Sequence, residues 1–345
     1  MGDPATDVQP IAPQPGDVEL TIVIPTRGPS SSLTELLRSI HAALPAEVDI
    51  GVIVVVDGPM PELGCFPDDA LSGTTLACTG VRRGPGAARN LGFSLTSTEH
   101  VVFLDDDVLL PEDWFGRLDA TLRTQPDVGL LGARLTSVAR DNLVSRTFET
   151  FIVRNERRRG RWFLASAFLA VRREDFVRLE GFDERLADSG EDWDLCRRAH
   201  ALGVSVHSED SIEVRHRNPT MFRDLLSRSA LYARSFGVAA PLTPEDSDRP
   251  LTVGRFRLPS GSAALRPWVR AVKSIVVSLP SEFARRARTA LTRDLPWRRR
   301  FGVLLLHVPW FLDYWMRGTL HELRRNRAAV RRSPSVVVTN THGRR

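Results

Sequence analysis

The chain has 345 residues, 42% of them hydrophobic, and a formal net charge of +5 at pH 7. This is enough apolar material for one large or two smaller packed domains and excludes a wholly disordered chain. Its three cysteines, Cys65, Cys78 and Cys196, form an odd set without metal-type spacing, which argues against a disulfide framework and fits a reducing compartment.

The charge is divided unevenly. Residues 255–345 carry 20 Lys+Arg against four acids, a balance of +16, and the first 254 residues therefore carry −11. An acidic body joined to a basic tail points to a polyanionic partner for the tail, a membrane surface or a nucleic acid. Nearly all the bases are arginine, Lys273 being the only lysine, so composition explains the choice of base but not its concentration. The N-terminus, with Asp3, Asp7, Pro4, Pro10, Pro13 and Pro15, has neither the basic start nor the apolar run of a secretory signal. It is expected to be a disordered lead over 1–18 on a cytoplasmic protein.

Leu20 to Ile24 reads as a strand buried on both faces and stopped by Pro25. Ser30 to Ser32 offer helix caps, and Leu33, Leu36, Leu37, Ile40 and Leu44 follow at helical spacing. A second strand, Ile50 to Val56, ends at Asp57-Gly58-Pro59. Strand, helix and strand make a βαβ unit and start a parallel sheet, whose ligands bind beyond the carboxyl ends of the strands.

Gly84-Pro85-Gly86-Ala87-Ala88-Arg89-Asn90-Leu91-Gly92 is a glycine-rich entry into a short helix, in which Arg89 could meet a phosphate as a bidentate donor. It is neither a P-loop nor a dinucleotide fingerprint. The apolar run Val101 to Leu104 then ends in Asp105-Asp106-Asp107. Carboxylates at the tip of a buried strand are hard ligands for a divalent cation shared with a phosphorylated substrate; a solvated turn is the alternative.

A helix over Trp114 to Arg123, a strand near Val128 to Leu131 and an apolar stretch from Phe163 to Val171 come next. In Gly190-Glu191-Asp192-Trp193-Asp194-Leu195, the residues Leu195, Ala199 and Leu202 lie on one face of a helix closed by Gly203. Glu191 and Asp192 stand at its N-terminus, where carboxylates are also simple dipole partners.

In this order the segments resemble family 2 glycosyltransferases, sugar-nucleotide-dependent inverting enzymes of the GT-A fold. The resemblance runs from about Thr21 to His216. It rests on Val23-Ile24-Pro25-Thr26-Arg27, Val55-Val56-Asp57-Gly58, Ala88-Arg89-Asn90-Leu91-Gly92, Leu104-Asp105-Asp106-Asp107, and the blocks at Gly181-Phe182-Asp183-Glu184 and Gly190 to Leu195.

The resemblance implies an α/β fold with a mostly parallel, Rossmann-like sheet flanked by helices, and a donor that is a nucleoside-diphosphate sugar. It implies that Asp57 holds the nucleotide base, with Pro25, Thr26 and Arg27 beside it and Arg89 in the donor site. Asp105 faces the ribose or a metal-bound water, and Asp107 ligates Mn²⁺ or Mg²⁺ across the diphosphate. Asp106 is counted with the donor residues without a role of its own. Asp192 is the general base and Glu191 orients it or the acceptor. Trp193 is a stacking wall for a sugar ring, or a packed core residue. His216 completes the metal shell, with His207 as its competitor.

No Q-x-x-R-W pattern of processive synthases follows His216, which favours a single-addition or short-chain transferase over a processive polymerase. Beyond residue 236 the resemblance stops. Trp268 to Val277 has an amphipathic helical pattern. Phe301 to Met316, flanked by Arg298-Arg299-Arg300 and Arg317, is too short and polar to span a bilayer but carries Trp310, Tyr314 and Trp315. Such a helix suits an anionic membrane surface, peripheral on the inner face of the cell membrane, and with it a lipid-linked acceptor; packing on the catalytic domain or at a dimer interface is the alternative. Nucleic acid is disfavoured because no binding module accompanies the arginines.

The expected organisation is the lead over 1–18, a GT-A domain over 19–238, a linker or lid over 239–258, a helical basic extension over 259–332 and a disordered tail over 333–345. A GT-A-like nucleotidyltransferase is the competing enzyme, but Pro25-Thr26-Arg27-Gly28-Pro29 lacks its glycine-rich loop. A non-catalytic sugar-nucleotide-binding protein would have no need of Asp192.

Overall fold

Ile22, Val23 and Ile24 are consecutive and all are fully buried, so the first strand has packed layers on both of its faces. The computed structural model describes residues 20–44, 50–61, 73–151, 156–158, 161–228, 252–253 and 256–257. Its elements are β1 Leu20–Thr26, α1 Ser31–Ala43, β2 Gly51–Val56, β3 Thr74–Cys78, α2 Pro85–Ser94, β4 His100–Leu104, β5 Val108–Leu109, α3 Trp114–Thr124 and β6 Leu130–Ser137. They continue with α4 Leu143–Phe151, β7 Glu156–Arg158, β8 Arg161–Phe163, β9 Phe168–Arg172, α5 Arg173–Arg178, α6 Glu191–Leu202, β10 Val206–His216, β11 Thr252–Val253 and β12 Phe256–Arg257.

Eight strands form the central sheet in the order β3-β2-β1-β4-β9-β6-β10-β5. The first four are mutually parallel, as the βαβ pattern predicts, and β6 and β10 are parallel as well. Strand β9 enters antiparallel between β4 and β6, and β5 lies antiparallel on β10.

The side-chain alternation of the strands sorts the core into two layers. Ile22 and Ile24 of β1 join Val102 and Leu104 of β4 on the face covered by α1 and α3, through Leu33, Leu36, Leu37, Ile40, Trp114 and Leu118. Val23, Val101 and Phe103 face the other way, onto Ala88 of α2, Phe176 of α5, and Leu195, Cys196 and Ala199 of α6. Each fully buried side chain of this size contributes about 1.5–3 kcal/mol of transfer free energy.

Helix α1 starts where the sequence places it: the Ser30 hydroxyl accepts the Leu33 amide at 3.1 Å. Helix α2 lies unusually close to the sheet because of Gly92, where a Cβ would stand 2.3 Å from Val23 Cγ1. This approach fixes the depth of Arg89, one turn earlier in the helix.

Several expectations are corrected. Pro25 does not stop β1, which pairs with β2 through Pro25 and Thr26; its β4 partner has ended at Val23, so a residue without an amide is tolerated there. The stretch from Phe163 to Val171 is broken into β8 and β9, with Ser166 and Ala167 in the turn between them. Strand β6 begins at Leu130 and runs on to Ser137, and β3, with partly buried residues throughout, has no counterpart in the sequence reading. Leu202 is 46% exposed, so the buried face of α6 is Leu195, Cys196 and Ala199.

The lead over 1–18, Cys65, the basic extension with its segments at Trp268 and at Phe301 to Met316, and the tail over 333–345 lie outside the described residues, as does most of the span 239–258. Within that span β11 and β12 pair antiparallel. Among the described residues no helix is long and apolar enough to cross a membrane.

Candidate functional site

The carboxyl ends of β1, β2 and β4 carry Thr26, Asp57 and Asp105, and α6 brings Glu191 and Asp192 to Arg89 beside them. These are the positions where a sheet of this kind takes a ligand.

Asp57 sits in a nest of backbone donors. Its carboxylate accepts the amides of Arg83 at 2.8 Å and Gly84 at 3.1 Å, and its own amide donates to the Thr26 carbonyl at 2.7 Å. Gly84 has φ of +98°, and a Cβ there would stand 2.2 Å from the Ala187 carbonyl oxygen, so this donor position requires glycine. Arg27 is exposed at the rim, next to buried Thr26.

The triplet separates into three environments. Burial alone would raise the Asp105 pKa, but the Arg89 guanidinium at 2.6 Å and the His216 ring hold it down at about 2. Asp106 accepts a hydrogen bond from Thr26 Oγ1 at 2.6 Å, and burial raises it to about 6 against that bond. Asp106 thus turns to β1 and away from its neighbours' task. Asp107 is raised by burial, opposed by the His216 charge at 3.2 Å.

His216 ends β10 and is 4% exposed. Its Nδ1 is engaged with Asn218 Oδ1 at 2.8 Å, which aims Nε2 at the triplet, 3.2 Å from Asp107 Oδ1 and 3.8 Å from Asp105 Oδ2. Burial opposes a charge on this ring, yet the two carboxylates raise its pKa above the ordinary value. Ligand atoms of Asp105, Asp107 and His216 all lie within 4.8 Å of one another. Two carboxylates and an imidazole are a donor set that fits a divalent cation such as Mn²⁺ or Mg²⁺. His207 pairs with Leu131 at the opposite end of the strand and takes no part.

Asp192 Oδ2 accepts the Ser166 amide at 3.2 Å and Oδ1 the Trp193 amide at 2.6 Å. Burial raises its pKa, against these hydrogen bonds and the charge of Arg89. Glu191 is buried and raised by the same cause, with the Asp192 charge adding to it, while Arg89 at 2.8 Å opposes. Trp193 is 36% exposed and stacked on Phe163 at 4.0 Å with 17° between the rings.

Arg89 differs from its sequence expectation. Its fork is occupied by Asp105 and Glu191 and its side chain is 3% exposed, so it lies beneath the site and not on the surface a phosphate would touch.

A family model described as glycosyltransferase like family 2 matches residues 14–230, well over half of the chain. The chain belongs to glycosyltransferase family 2. It is 30% identical over 281 residues to the pre-mycofactocin glycosyltransferase of Mycobacterium tuberculosis, a match covering 77% of this chain and 55% of that protein. The chain thus spans about half the length of the curated relatives it matches. Among solved structures, the mannosyltransferase PcManGT from Pyrobaculum calidifontis, in complex with GDP-Man and Mn²⁺, superposes with a TM-score of 0.51 at 17% identity, over 91% of this chain and 89% of that one. S. aureus TarS 1–349 aligns with a TM-score of 0.44 at 14% identity, over 90% of this chain and 92% of that one. The likeness to PcManGT is one of fold, and the fold of the chain is GT-A, as the sequence resemblance implies.

Ser166, Asn218 and Asn90 have no role assigned from the sequence. Asn90 carried a signal, lying in the Ala88 to Gly92 motif; its side-chain amide donates to the Phe182 carbonyl and accepts the Phe182 amide, both at 2.9 Å. It fastens α2 to the block that leads into α6. Ser166 acts through its backbone amide, which any residue type supplies, so no side-chain pattern could mark it.

Proposed function

We propose that the protein is an inverting, metal-dependent glycosyltransferase that moves a sugar from a nucleoside-diphosphate sugar to an acceptor hydroxyl in single additions. The observation that carries this is the convergence of Asp105, Asp107 and His216 at the end of β4, joined through buried Arg89 to the α6 start that bears Asp192.

Asp57 and Thr26 form the floor for the nucleotide base, with Arg27 at its rim. Asp105, Asp107 and His216 would hold the cation, which when bound would supply Lewis-acid neutralisation of the charge on the leaving nucleoside diphosphate. Asn218 keeps the imidazole turned so that Nε2 is the ligand atom. Asp192 accepts the proton of the acceptor hydroxyl as its oxygen attacks the anomeric carbon from the face opposite the leaving group. One displacement forms one C–O bond, breaks one and inverts the configuration, and it needs a single base. The two backbone amides on Asp192 fix its carboxylate, and its raised pKa makes it a better proton acceptor than an ordinary aspartate. Trp193, braced by Phe163, offers a flat wall for the acceptor next to that base.

The basic extension suggests a membrane-proximal acceptor, and its binding to anionic vesicles at low salt is the corresponding assay; absence of flotation removes that part. The transferase assignment itself is tested by incubating the protein with Mn²⁺ and a panel of UDP-, GDP- and dTDP-sugars and reading the anomeric configuration of the product by NMR. An inverted product is expected. A retained configuration contradicts the role of Asp192.

A further inference from the structure

Arg89 spans the two halves of the site. One terminal nitrogen of its guanidinium lies 2.6 Å from Asp105 Oδ1 and the other 2.8 Å from Glu191 Oε1, while Nε is buried without a partner among the described residues. Glycine at position 86 lets the first turn of α2 close on the acidic helix start: a Cβ there would stand 3.4 Å from Glu191 Cγ and 3.3 Å from Phe182 Cβ. The Phe182 ring lies 5.5 Å from the guanidinium carbon. Helix α6 itself begins at left-handed Gly190 with no side-chain cap, and its first turn is anchored laterally by Glu191 on Arg89 and by Asp192 on the Ser166 amide.

We propose that Arg89 is a positioning residue: its buried fork sets the distance between donor-side Asp105 and the α6 turn that carries Asp192, and it is not a phosphate ligand. The assignment rests on the transferase reading above. A guanidinium holds its donors in one rigid plane, so its two terminal nitrogens fix two carboxylates relative to each other in a way that a single ammonium cannot. The base is held between the Trp193 amide of its own turn and the Ser166 amide, so a shift of the α6 turn away from Ser166 misplaces its carboxylate.

The test compares Arg89→Lys and Glu191→Gln with the parent, using the sugar nucleotide that the parent turns over and Mn²⁺. For Arg89→Lys, kcat is expected to fall about 100-fold, the cost of roughly 1 Å of misplacement, while the calorimetric Kd for the nucleoside diphosphate with Mn²⁺ stays within about threefold. Glu191→Gln keeps the shape and one acceptor, and is expected to lose about tenfold in kcat with the same unchanged Kd. A crystal structure of Arg89→Lys is expected to show the α6 start displaced from β4. A Kd that rises as much as kcat falls makes Arg89 a donor ligand and overturns the proposal, as does kcat within threefold of the parent or an undisplaced α6. A parent that transfers no sugar counts against the transferase reading; the displacement and Kd measurements still decide the role of Arg89.

Discussion

His216 meets Asp107 because β10 runs antiparallel to the two-residue β5, with His216 opposite Val108; Nε2 then stands 3.2 Å from Asp107 Oδ1. The meeting of these two side chains is thus made by strand register. A one-residue slip of β10 would turn His216 to the other face of the sheet.

Asp107→Asn should abolish Mn²⁺ binding in calorimetry and lower kcat by at least about 100-fold, because a neutral amide is a poor cation ligand. Asp107 is a partly buried carboxylate with a raised pKa, so neutralising it should leave thermal stability within about 1 kcal/mol of the parent. A large drop in melting temperature would mark Asp107 as structural.

Asn218→Ala frees the second ring nitrogen of His216. The Mn²⁺ affinity should fall about tenfold, the lower range for loss of an orienting partner, with the fold intact. An unchanged titration would mean that the ring is held by packing alone.

The pH profile should be set by Asp192. Its folded pKa lies above the ordinary carboxylate value, so it keeps its proton at pH values where a free aspartate has lost it, and a protonated base is inactive. The acid limb of kcat/KM should therefore lie above about pH 4, activity falling as pH falls through it. The effect on stability has the opposite sense: a raised acid contributes stability below its unfolded pKa and loses it as pH rises through the folded one. A limb at or below pH 4 would show that Asp192 is not the titrating base.

The fold was legible wherever period and end signals agreed. Ser30 capping α1, the doubly buried strands β1, β2 and β4, and Gly203 closing α6 could all be read from spacing. Strand β3 was not, because it is only half buried and has no apolar run. The break between β8 and β9 was hidden within continuous apolarity. In the site, residue types at strand ends and at a helix start single out Asp57, the triplet and the Glu191-Asp192 pair, which the structure brings to one end of the sheet, while an arginine in a glycine-rich turn reads as a phosphate donor and only the approach of α2 at Gly92 shows it buried.

A glycine before a helix and one inside a helix give a contrasting pair. Gly84→Ala forces a Cβ into the Ala187 backbone at positive φ and should cost at least about 2 kcal/mol, weakening nucleotide binding through Asp57. Gly116→Ala in α3 meets nothing within 4 Å and should stabilise by about 0.5–1 kcal/mol. Equal melting temperatures for the two variants would contradict the packing described at Gly84.

The most direct test combines donor, cation and base in one comparison: calorimetric binding of sugar nucleotides with and without Mn²⁺ to the parent and to Asp192→Asn, followed by single-turnover transfer. Both proteins should bind the same donor only with Mn²⁺ and with Kd values within about threefold, while Asp192→Asn loses transfer by about 100-fold or more. Donor binding that ignores Mn²⁺, or full transfer by Asp192→Asn, would contradict the site described around Asp105, Asp107, His216 and Asp192.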